Sequence, residues 1–462
     1  MKKSPKNLRN KSMCRILLPT VLIVCTLLVL TLRECRPLIP PMDDTYIHLV
    51  FGRSLFSGNP LCFNQAEISS GFTSPVWLLP SALASISGTE AAPVILMGFS
   101  LIAAALALLA AGPWTGLLLL MTGPFFFHAS SGMETALASL FVIVLWKSVR
   151  DETMLGLRPF ILAGAFLCRP ELAILAVPLI FAIRGRSARN ILILLAPSFI
   201  VGILWIIWNL HAAGMLLPST FYAKQPVSWF SSAASGLPGL LKNILLVSPL
   251  LIFAATASII ELFKTAPSDV RRKNIALGSF PVLLFATSLL LQPNSFFQMR
   301  YYVPALTAAV LVAGHWLSGL HRKKLNTALL AASMLPGLLI FGGRRTEASY
   351  DVGAIDVDPA DYLAAGATDT ETVASADIGA VKWITDMHIL DLDGLVTPER
   401  LPGKDTEGWY WIEQNADYLL AFPKQYSNLV SEAGESIEFL AGFGSRSNVI
   451  CGEDSVTLWK IL

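Results

Sequence analysis

Two adjacent carboxyl groups, Asp43 and Asp44, form the most reactive feature of the sequence. Neighbouring carboxylates raise each other's pKa. A carboxylate whose pKa approaches neutrality suits a base that accepts a hydroxyl proton. Aspartate is also a preferred N-cap, so the pair is equally compatible with capping the helix that follows. The residues alone leave both interpretations open.

The segment after the acidic pair shows helical periodicity. Four apolar residues share one face: Ile47, Val50, Phe51 and Leu55. His48 and Arg53 fall on other faces. This pattern predicts a short amphipathic helix that lies in a membrane interface.

The composition indicates a membrane protein. Of 462 residues, 54% are hydrophobic and 14% are charged, and the mean hydropathy is +0.60. Soluble chains carry about 25% charged residues. The net charge of +2 gives no reason to expect nucleic acid as a partner. A basic N-terminus precedes the uncharged run 16–32 without a small-residue cleavage site, which predicts a retained first membrane helix.

Apolar runs recur from residue 16 to about residue 341, and the Lys/Arg bias of their joints predicts orientation. Basic joints, expected in the cytoplasm, lie at the N-terminus, 184–189, 271–273 and 321–324. Joints poor in basic clusters, expected outside, lie at 34–73, 128–135, 211–236 and 292–299. We predict about eleven crossings of a bacterial inner membrane, with the N-terminus cytoplasmic. The runs 93–127 and 159–183 allow more than one path.

These features predict a polytopic α-helical membrane domain, 1–343, and an extracytoplasmic tail, 344–462. The tail loses the long apolar runs and gains Asp and Glu. A strand that runs into a turn is predicted at 372–379, and further strands at 389–392 and 418–421, with helices between them, which gives a small α/β fold. Cys35 and Cys62 share the first outer loop, 33–73, where a disulfide is permitted.

An ordered set of short motifs carries a family resemblance. The motifs lie at 43–47, 71–75, 131–136, 169–171, 218–224, 300–304, 377–380 and 391–395. Together they resemble the GT-C superfamily of polyprenyl-phosphate-sugar glycosyltransferases, in particular its arabinofuranosyltransferase-like branch. Val50 and Pro60 depart from the pattern of that branch.

The resemblance implies an inverting, single-displacement transfer without a covalent enzyme intermediate. The sugar moves from a polyprenyl-phosphate donor to an extracytoplasmic acceptor, which is a glycan of the cell envelope, a lipid or a protein. Asp43 or Asp44 is then the general base, and its neighbour orients it or the acceptor. Membrane lipids are further partners.

The leaving phosphate requires positive charge nearby. Lys224 and Arg300 stand in outward joints among aromatic residues, and Arg53 is a third candidate. The alternative for each is an interfacial anchor that extends its charge to the lipid headgroups.

Five further residues are predicted to line the substrate pocket: Tyr46, His48, Trp77, Glu134 and Tyr222. Each has an ordinary alternative. Trp77 is also typical of an aromatic belt, and His48 of a satisfied polar group. Glu134 is ionisable near membrane depth, which favours function, yet it is also placed to start a helix.

The main alternative function is a flippase or transporter of lipid-linked sugars, and a silent scaffold is a third. A transporter should show repeated halves with interrupted helices, and no such symmetry appears in the sequence. Nucleotide and serine-hydrolase motifs are absent too. We therefore expect no cofactor. The acidic pair lacks the further ligands of a metal site, so none is predicted, although a divalent ion stays conceivable.

Overall fold

The chain forms a helical bundle that leads into a five-stranded sheet. The computed structural model describes residues 21, 25–183, 187–224, 228–264, 268–292, 297–401 and 408–462. Residues 16–20 and 22–24 of the predicted first helix, 16–32, lie outside these residues. The first part contains α1 (25–34), α2 (Asp44–Ser54), α3 (Leu78–Ser85), α4 (Ala91–Ala111), α5 (Pro113–Leu120), α6 (Pro124–Ala129), α7 (Thr135–Asp151), α8 (Arg158–Cys168), α9 (Ala176–Ala182), α10 (Ala188–Ala213), α11 (Ser219–Ala223), α12 (Trp229–Val247), α13 (Pro249–Lys264), α14 (Ser268–Leu291), α15 (Val303–Gly319) and α16 (Lys323–Val352).

Six helices of the described residues are long and apolar enough to cross a membrane: Ala91–Ala111, Ala188–Ala213, Trp229–Val247, Val270–Leu291, Phe297–Gly319 and Lys324–Gly366. The surface of α10 is typical of them. It buries only Leu194, Trp205 and Asn209, as expected where lipid rather than protein covers apolar side chains. The total of about eleven crossings stays a prediction.

Helix breaks interrupt both of the runs 93–127 and 159–183. Gly112, with φ +96°, separates α4 from α5, in a backbone region that glycine adopts at little cost. Arg169 is extended between α8 and the 3-10 turn Pro170–Leu175. The reason is that proline disfavours helical geometry in the residue before it.

The tail continues directly from α16, so the predicted boundary at 343/344 falls inside a helix. A π-helical turn, Gly353–Val357, links α16 to the tail. The tail elements are α17 (Asp358–Gly366), β1 (Thr372–Ser375), α18 (Gly379–Thr385), β2 (His388–Asp391), α19 (Trp409–Asn415), β3 (Tyr418–Ala421), α20 (Ser427–Ala433), β4 (Ile437–Gly444) and β5 (Ser455–Ile461).

The sheet has the strand order β2-β1-β3-β5-β4. Strands β2, β1 and β3 are parallel, whereas β5 and β4 add antiparallel at one edge. The first three coincide closely with the strands predicted from the sequence. The last two were not predicted. Most residues of β4 are only partly buried or exposed, so its hydrophobic pattern is weak.

Helix α2 differs from its prediction. It packs against α3 on one side and α18 on the other, and eight of its eleven residues are buried. The approach to α3 is close, because a Cβ atom on Gly52 would lie 2.5 Å from the backbone of Ser81. The expectation of an amphipathic helix in the interface is therefore wrong, because the tail covers its second face.

The first outer loop contains no disulfide between Cys35 and Cys62. Both thiols are free and buried. The pairing that the sequence permits is therefore not formed.

Candidate functional site

The acidic pair lies where the tail docks on the helical bundle. Asp43 occupies the N-cap position of α2, but its side chain makes no capping bond to that helix. Its carboxylate instead accepts hydrogen bonds from the backbone N–H groups of Gly379 and Ala380, both at 2.7 Å. The interpretation of Asp43 as the cap of α2 is thus wrong. Asp43 caps α18, a helix of the tail.

Asp44 faces two cations. It forms a hydrogen-bonded ion pair with Arg300, and Lys224 Nζ lies 4.0 Å from its Oδ2. The structure therefore brings together three residues that are far apart in the sequence and were each predicted to serve the site.

The two aspartates differ sharply in acidity. Burial, together with the charge of Asp44, raises the pKa of Asp43 to about 6, against the opposing effect of its backbone hydrogen bonds. Burial alone would raise the pKa of Asp44 too, but the charges of Lys224 and Arg300 outweigh it and hold that pKa at about 2. When two neighbouring titratable groups have different pKa values, each can take a different role in acid–base catalysis.

A network of buried charges holds Arg300 in place. Glu134 Oε1 lies 3.2 Å from Arg300 Nη2 and 3.2 Å from Arg169 Nη1, and Glu134 Oε2 lies 3.4 Å from His48 Nε2. Arg169 also pairs with Glu171 at 2.5 Å. Each buried charge in this network has an opposite partner, which is the condition for stable burial.

The backbone before Arg300 is unusual. Phe297, Gln298 and Met299 have φ values of 55°, 51° and 63°, a left-handed region that costs energy for residues other than glycine. The carbonyl oxygen of Gln298 lies 3.1 Å from His128 Nε2. Such strain concentrates at functional sites, and here it lies immediately before the arginine that binds Asp44.

Two cavities meet at Asp44 and Lys224. The first has a volume of about 390 Å³ and combines the charged network with apolar walls. Its acidic, basic and histidine lining consists of Asp44, His48, Glu134, Arg169, Glu171, Lys224 and Arg300, and its apolar lining includes Phe72, Leu217, Phe221, Leu291 and Leu395. We call it the network cavity.

The second cavity has a volume of about 440 Å³ and lies between the acidic pair and the tail. Five carboxyl groups line it: Asp43, Asp44, Asp356, Asp377 and Asp393. We call it the acidic cavity. Burial, reinforced by the charges of Asp43 and Asp393, raises the pKa of Asp377 well above its ordinary value.

Several predicted residues do not line either cavity. Arg53 sits at the far end of α2, roughly 13 Å along the axis from Asp44 at ~1.5 Å per residue. It pairs with Asp386 at 3.0 Å and lies over the ring of Trp383. The structure therefore does not bring Arg53 to the cations of the site, and we do not retain it as a phosphate ligand.

The aromatic residues predicted for the pocket also lie elsewhere. Tyr46 is buried beside the acidic pair without lining a cavity. Trp77 is buried, and its indole N–H donates to the carbonyl oxygen of Gly132 at 2.9 Å, so it is neither a belt residue nor a pocket wall. Tyr222 packs edge-on against Phe221, which does line the network cavity.

The acidic cavity contains three residues to which the sequence analysis gave no role. Asp377 and Asp393 follow the ends of β1 and β2 by two residues each. Ligands in α/β sheets bind beyond the carboxyl ends of parallel strands, so the strand pattern was a usable signal. Asp356 lies in the π-helical turn after α16, and no sequence pattern indicated it. Among the described residues, no group of three or more His, Cys, Asp or Glu side chains is arranged to hold a metal ion.

Comparisons with solved structures identify the fold. ArnT from Cupriavidus metallidurans, solved bound to undecaprenyl phosphate, matches with a TM-score of 0.60 at 13% identity, over 95% of this chain and 97% of ArnT. The oligosaccharyltransferase AglB from Archaeoglobus fulgidus, solved with an inhibitory peptide and a dolichol-phosphate, matches with a TM-score of 0.51 at 12% identity, over 94% of this chain and 75% of AglB. The chain therefore shares the fold of these two proteins over nearly its whole length, as the resemblance of its motifs to the GT-C superfamily predicted.

The sequence comparisons add less. Residues 345–459 match a family described as a domain of unknown function, DUF8728. No curated protein sequence matches the chain.

Proposed function

We propose that the chain is an inverting membrane glycosyltransferase that moves a sugar from a polyprenyl-phosphate donor to an extracytoplasmic acceptor. One observation carries this proposal. Asp44, Lys224 and Arg300 meet at the junction of two cavities, where a donor and an acceptor would be brought together. The fold shared with ArnT and AglB, both solved with polyprenyl-type phosphates, supports a lipid-linked donor.

The donor binds in the network cavity. Lys224 and Arg300 contact the phosphate and stabilise the charge that develops on it as the sugar leaves. The apolar wall, which includes Leu217 and Phe221, takes the first isoprenyl units. Glu134 and Arg169 hold the guanidinium of Arg300 in position through the charge network.

Asp43 is the general base, and Asp44 positions the cations. A base works best with a pKa near the working pH, and the pKa of Asp43 is about 6 whereas that of Asp44 is about 2. Two backbone N–H groups fix the carboxylate of Asp43 at the wall of the acidic cavity. Its remaining lone pairs can receive the acceptor hydroxyl, since a carboxylate accepts about four hydrogen bonds.

The transfer is a single displacement. The acceptor oxygen forms a bond to the anomeric carbon while the bond between that carbon and the phosphate oxygen breaks. The hydroxyl proton passes to Asp43 and from there to solvent, and the bonding electrons leave with the polyprenyl phosphate. The configuration at the anomeric carbon inverts because only one substitution occurs.

The membrane setting follows from the same proposal. The chain is a multi-pass membrane protein with the N-terminus in the cytoplasm and the tail outside, in a bacterial inner membrane. Labelling of single cysteines introduced at Asp361 and at Arg322 with an impermeant maleimide tests this. Labelling of residue 322 in intact cells, with protection of residue 361, would reverse the orientation.

The decisive experiment measures sugar transfer by the full chain in nanodiscs with a panel of synthetic polyprenyl-phosphate sugars. We expect Asp43→Asn to reduce transfer by about 10²- to 10⁴-fold, the usual contribution of a general base, with donor binding unchanged. Asp44→Asn should instead weaken donor binding, because it releases Lys224 and Arg300 from their shared partner.

Thermal unfolding of both variants serves as the control, since an Asn side chain can accept only one of the two backbone N–H bonds that Asp43 accepts. Binding of a lipid-linked sugar without transfer, unchanged in both variants, would support a flippase and refute the proposal.

A further inference from the structure

The acidic cavity has an unbalanced charge. Five aspartates line it, and among its described lining residues Lys224 is the one cation. Lys224 lies at the edge, 4.0 Å from Asp44, where the cavity meets the network cavity. The far wall, formed by Asp356, Asp377 and Asp393, therefore has no cation of its own among the described lining residues.

Asp356 is the residue that indicates a ligand. It is 2% exposed, and neither of its carboxyl oxygens accepts a hydrogen bond from an N–H group or a hydroxyl group of the described residues. Asp43 and Asp393 differ from Asp356, since Asp43 accepts hydrogen bonds from two backbone N–H groups and Asp393 accepts one from the hydroxyl of Tyr426. A buried acceptor oxygen without a donor destabilises the protein, and a ligand that supplies hydrogen-bond donors removes that cost.

The chemistry of the far wall determines which hydrogen-bond donors a ligand must supply. The carboxyl groups of Asp356 and Asp377 interact directly, and two carboxyls in contact share a proton instead of both being ionised. The pair then presents several acceptor oxygens with at most one negative charge. Phe297 and Phe422 supply apolar wall on the same cavity. Vicinal hydroxyl groups on a sugar ring, with an apolar ring face, complement such a surface.

We propose that the acceptor is a neutral carbohydrate whose hydroxyl groups donate to Asp356 and Asp377, and that the acidic cavity excludes phosphorylated acceptors. This inference rests on the proposed glycosyl transfer and adds the class of acceptor. A phosphate group brings about −1.5 to −2 charges into a cavity whose far wall is acidic, and juxtaposed like charges cost several kcal/mol. Asp356 and Asp377 determine specificity, whereas Asp43 accepts the proton.

The test compares three matched acceptors on the full chain in nanodiscs, with the best donor from the panel. The acceptors are p-nitrophenyl glycosides of neutral pentoses and hexoses, the 6-phosphates of the hexosides, and the 2-amino-2-deoxy hexosides. Both binding and transfer are measured, in wild type, Asp356→Asn and Asp377→Asn. Asp361→Asn is the matched control, because it removes the same charge from an exposed position on the neighbouring helix α17.

For the wild type we expect transfer to neutral glycosides, with kcat/KM for the phosphates lower by about 100-fold. Asp356→Asn and Asp377→Asn should each raise the acceptor KM about tenfold and leave the KM of the sugar donor unchanged. Both variants should also reduce the difference in kcat/KM between neutral and phosphorylated acceptors. Asp361→Asn should behave as wild type.

The outcomes separate the two proposals. Transfer that prefers phosphorylated or amino acceptors, or that is indifferent to Asp356→Asn and Asp377→Asn, overturns the inference and leaves the transferase in place. Binding of neutral glycosides that depends on Asp356, without transfer of any donor, supports the acceptor site and refutes the transferase. If the chain binds the sugar donor but neither binds neutral glycosides nor transfers sugar to them, the inference is overturned.

Discussion

The network cavity and the acidic cavity share Asp44 and Lys224 but balance their charges differently. In the network cavity, Glu134 contacts Arg169 and Arg300, so each carboxylate has a cation at hand. In the acidic cavity, the far carboxyls have mainly one another. One side is a completed set of ion pairs, and the other has carboxyl groups in excess.

This difference in charge balance indicates which kind of ligand each cavity favours. The ion pairs of the network cavity hold its cations in fixed orientations, so binding of a phosphate requires little reorganisation there. An excess of carboxyls keeps acceptor oxygens available for hydroxyl groups. Burial, together with the charge of Asp44, raises the pKa of Asp43. Neutralising a charge should therefore destabilise the network cavity and stabilise the acidic cavity.

The largest expected effect is that of Arg300→Leu. This change leaves Glu134 and Asp44 without their central cation, and breaking a buried ion pair costs about 3–5 kcal/mol. We expect a lower unfolding temperature and loss of donor binding, measured by thermal unfolding and lipid-sugar titration.

Arg53→Leu is the matched control for Arg300→Leu. Its partner Asp386 is substantially exposed, and such pairs contribute about 0–1 kcal/mol. Equal losses of stability in the two variants would contradict the expected difference between the buried ion pairs of Arg300 and the exposed ion pair of Arg53.

The second effect concerns the contact between the tail and the base. A Cβ atom on Gly379 would lie 2.7 Å from each carboxylate oxygen of Asp43. Gly379→Ala should displace that carboxylate and reduce kcat by about 100-fold, the usual cost of a misplaced catalytic group. Donor affinity should be unaffected, because Asp44 keeps its cations. Gly366→Ala, at a position with open space, is the comparison variant, and unchanged kcat in Gly379→Ala would argue against Asp43 as the base.

The third effect is the pH dependence of transfer. Asp43 must be ionised to accept a proton, and its pKa is raised to about 6. The rate should therefore fall as the pH drops through about 6, and be about tenfold lower at pH 5 than at pH 8. Asp44, with a pKa of about 2, stays ionised over this range. A flat profile between pH 5 and pH 8 would remove Asp43 from the mechanism.

The smallest effect is a gain in stability. Asp356→Asn removes one carboxyl from the acidic cavity without changing its shape, so it should raise the free energy of unfolding by about 1 kcal/mol at pH 8. The raised pKa of Asp377 means that this wall takes up protons as the pH falls. The gain should therefore shrink towards pH 5, where repulsion is already relieved. Urea unfolding at both pH values measures it, and a loss of stability at pH 8 would mean that Asp356 is already satisfied.

Much of the site was accessible from the sequence because its residues occur in motifs of adjacent positions. Asp43 and Asp44 stand side by side, and Lys224 and Arg300 stand in joints whose aromatic neighbours mark them. Local spacing also predicted β1, β2 and β3, since short buried strands leave a recognisable apolar run.

Other assignments failed because they depended on what lies across space. Periodicity indicated one apolar face on α2, but the tail covers the other face as well. Arg53 and Trp77 have suitable side chains, yet packing directs Arg53 to Asp386 and the Trp77 indole to Gly132.

The residue types, the membrane character and the acidic motif follow from the chain alone, because composition and short-range spacing encode them. The difference in pKa between Asp43 and Asp44 required the tertiary structure. A pKa depends on burial and on charges that arrive from distant segments, here the backbone of α18 and the cations Lys224 and Arg300. The acidic cavity required it for the same reason, since Asp356, Asp377 and Asp393 come from separate segments that only the folding of the chain brings together.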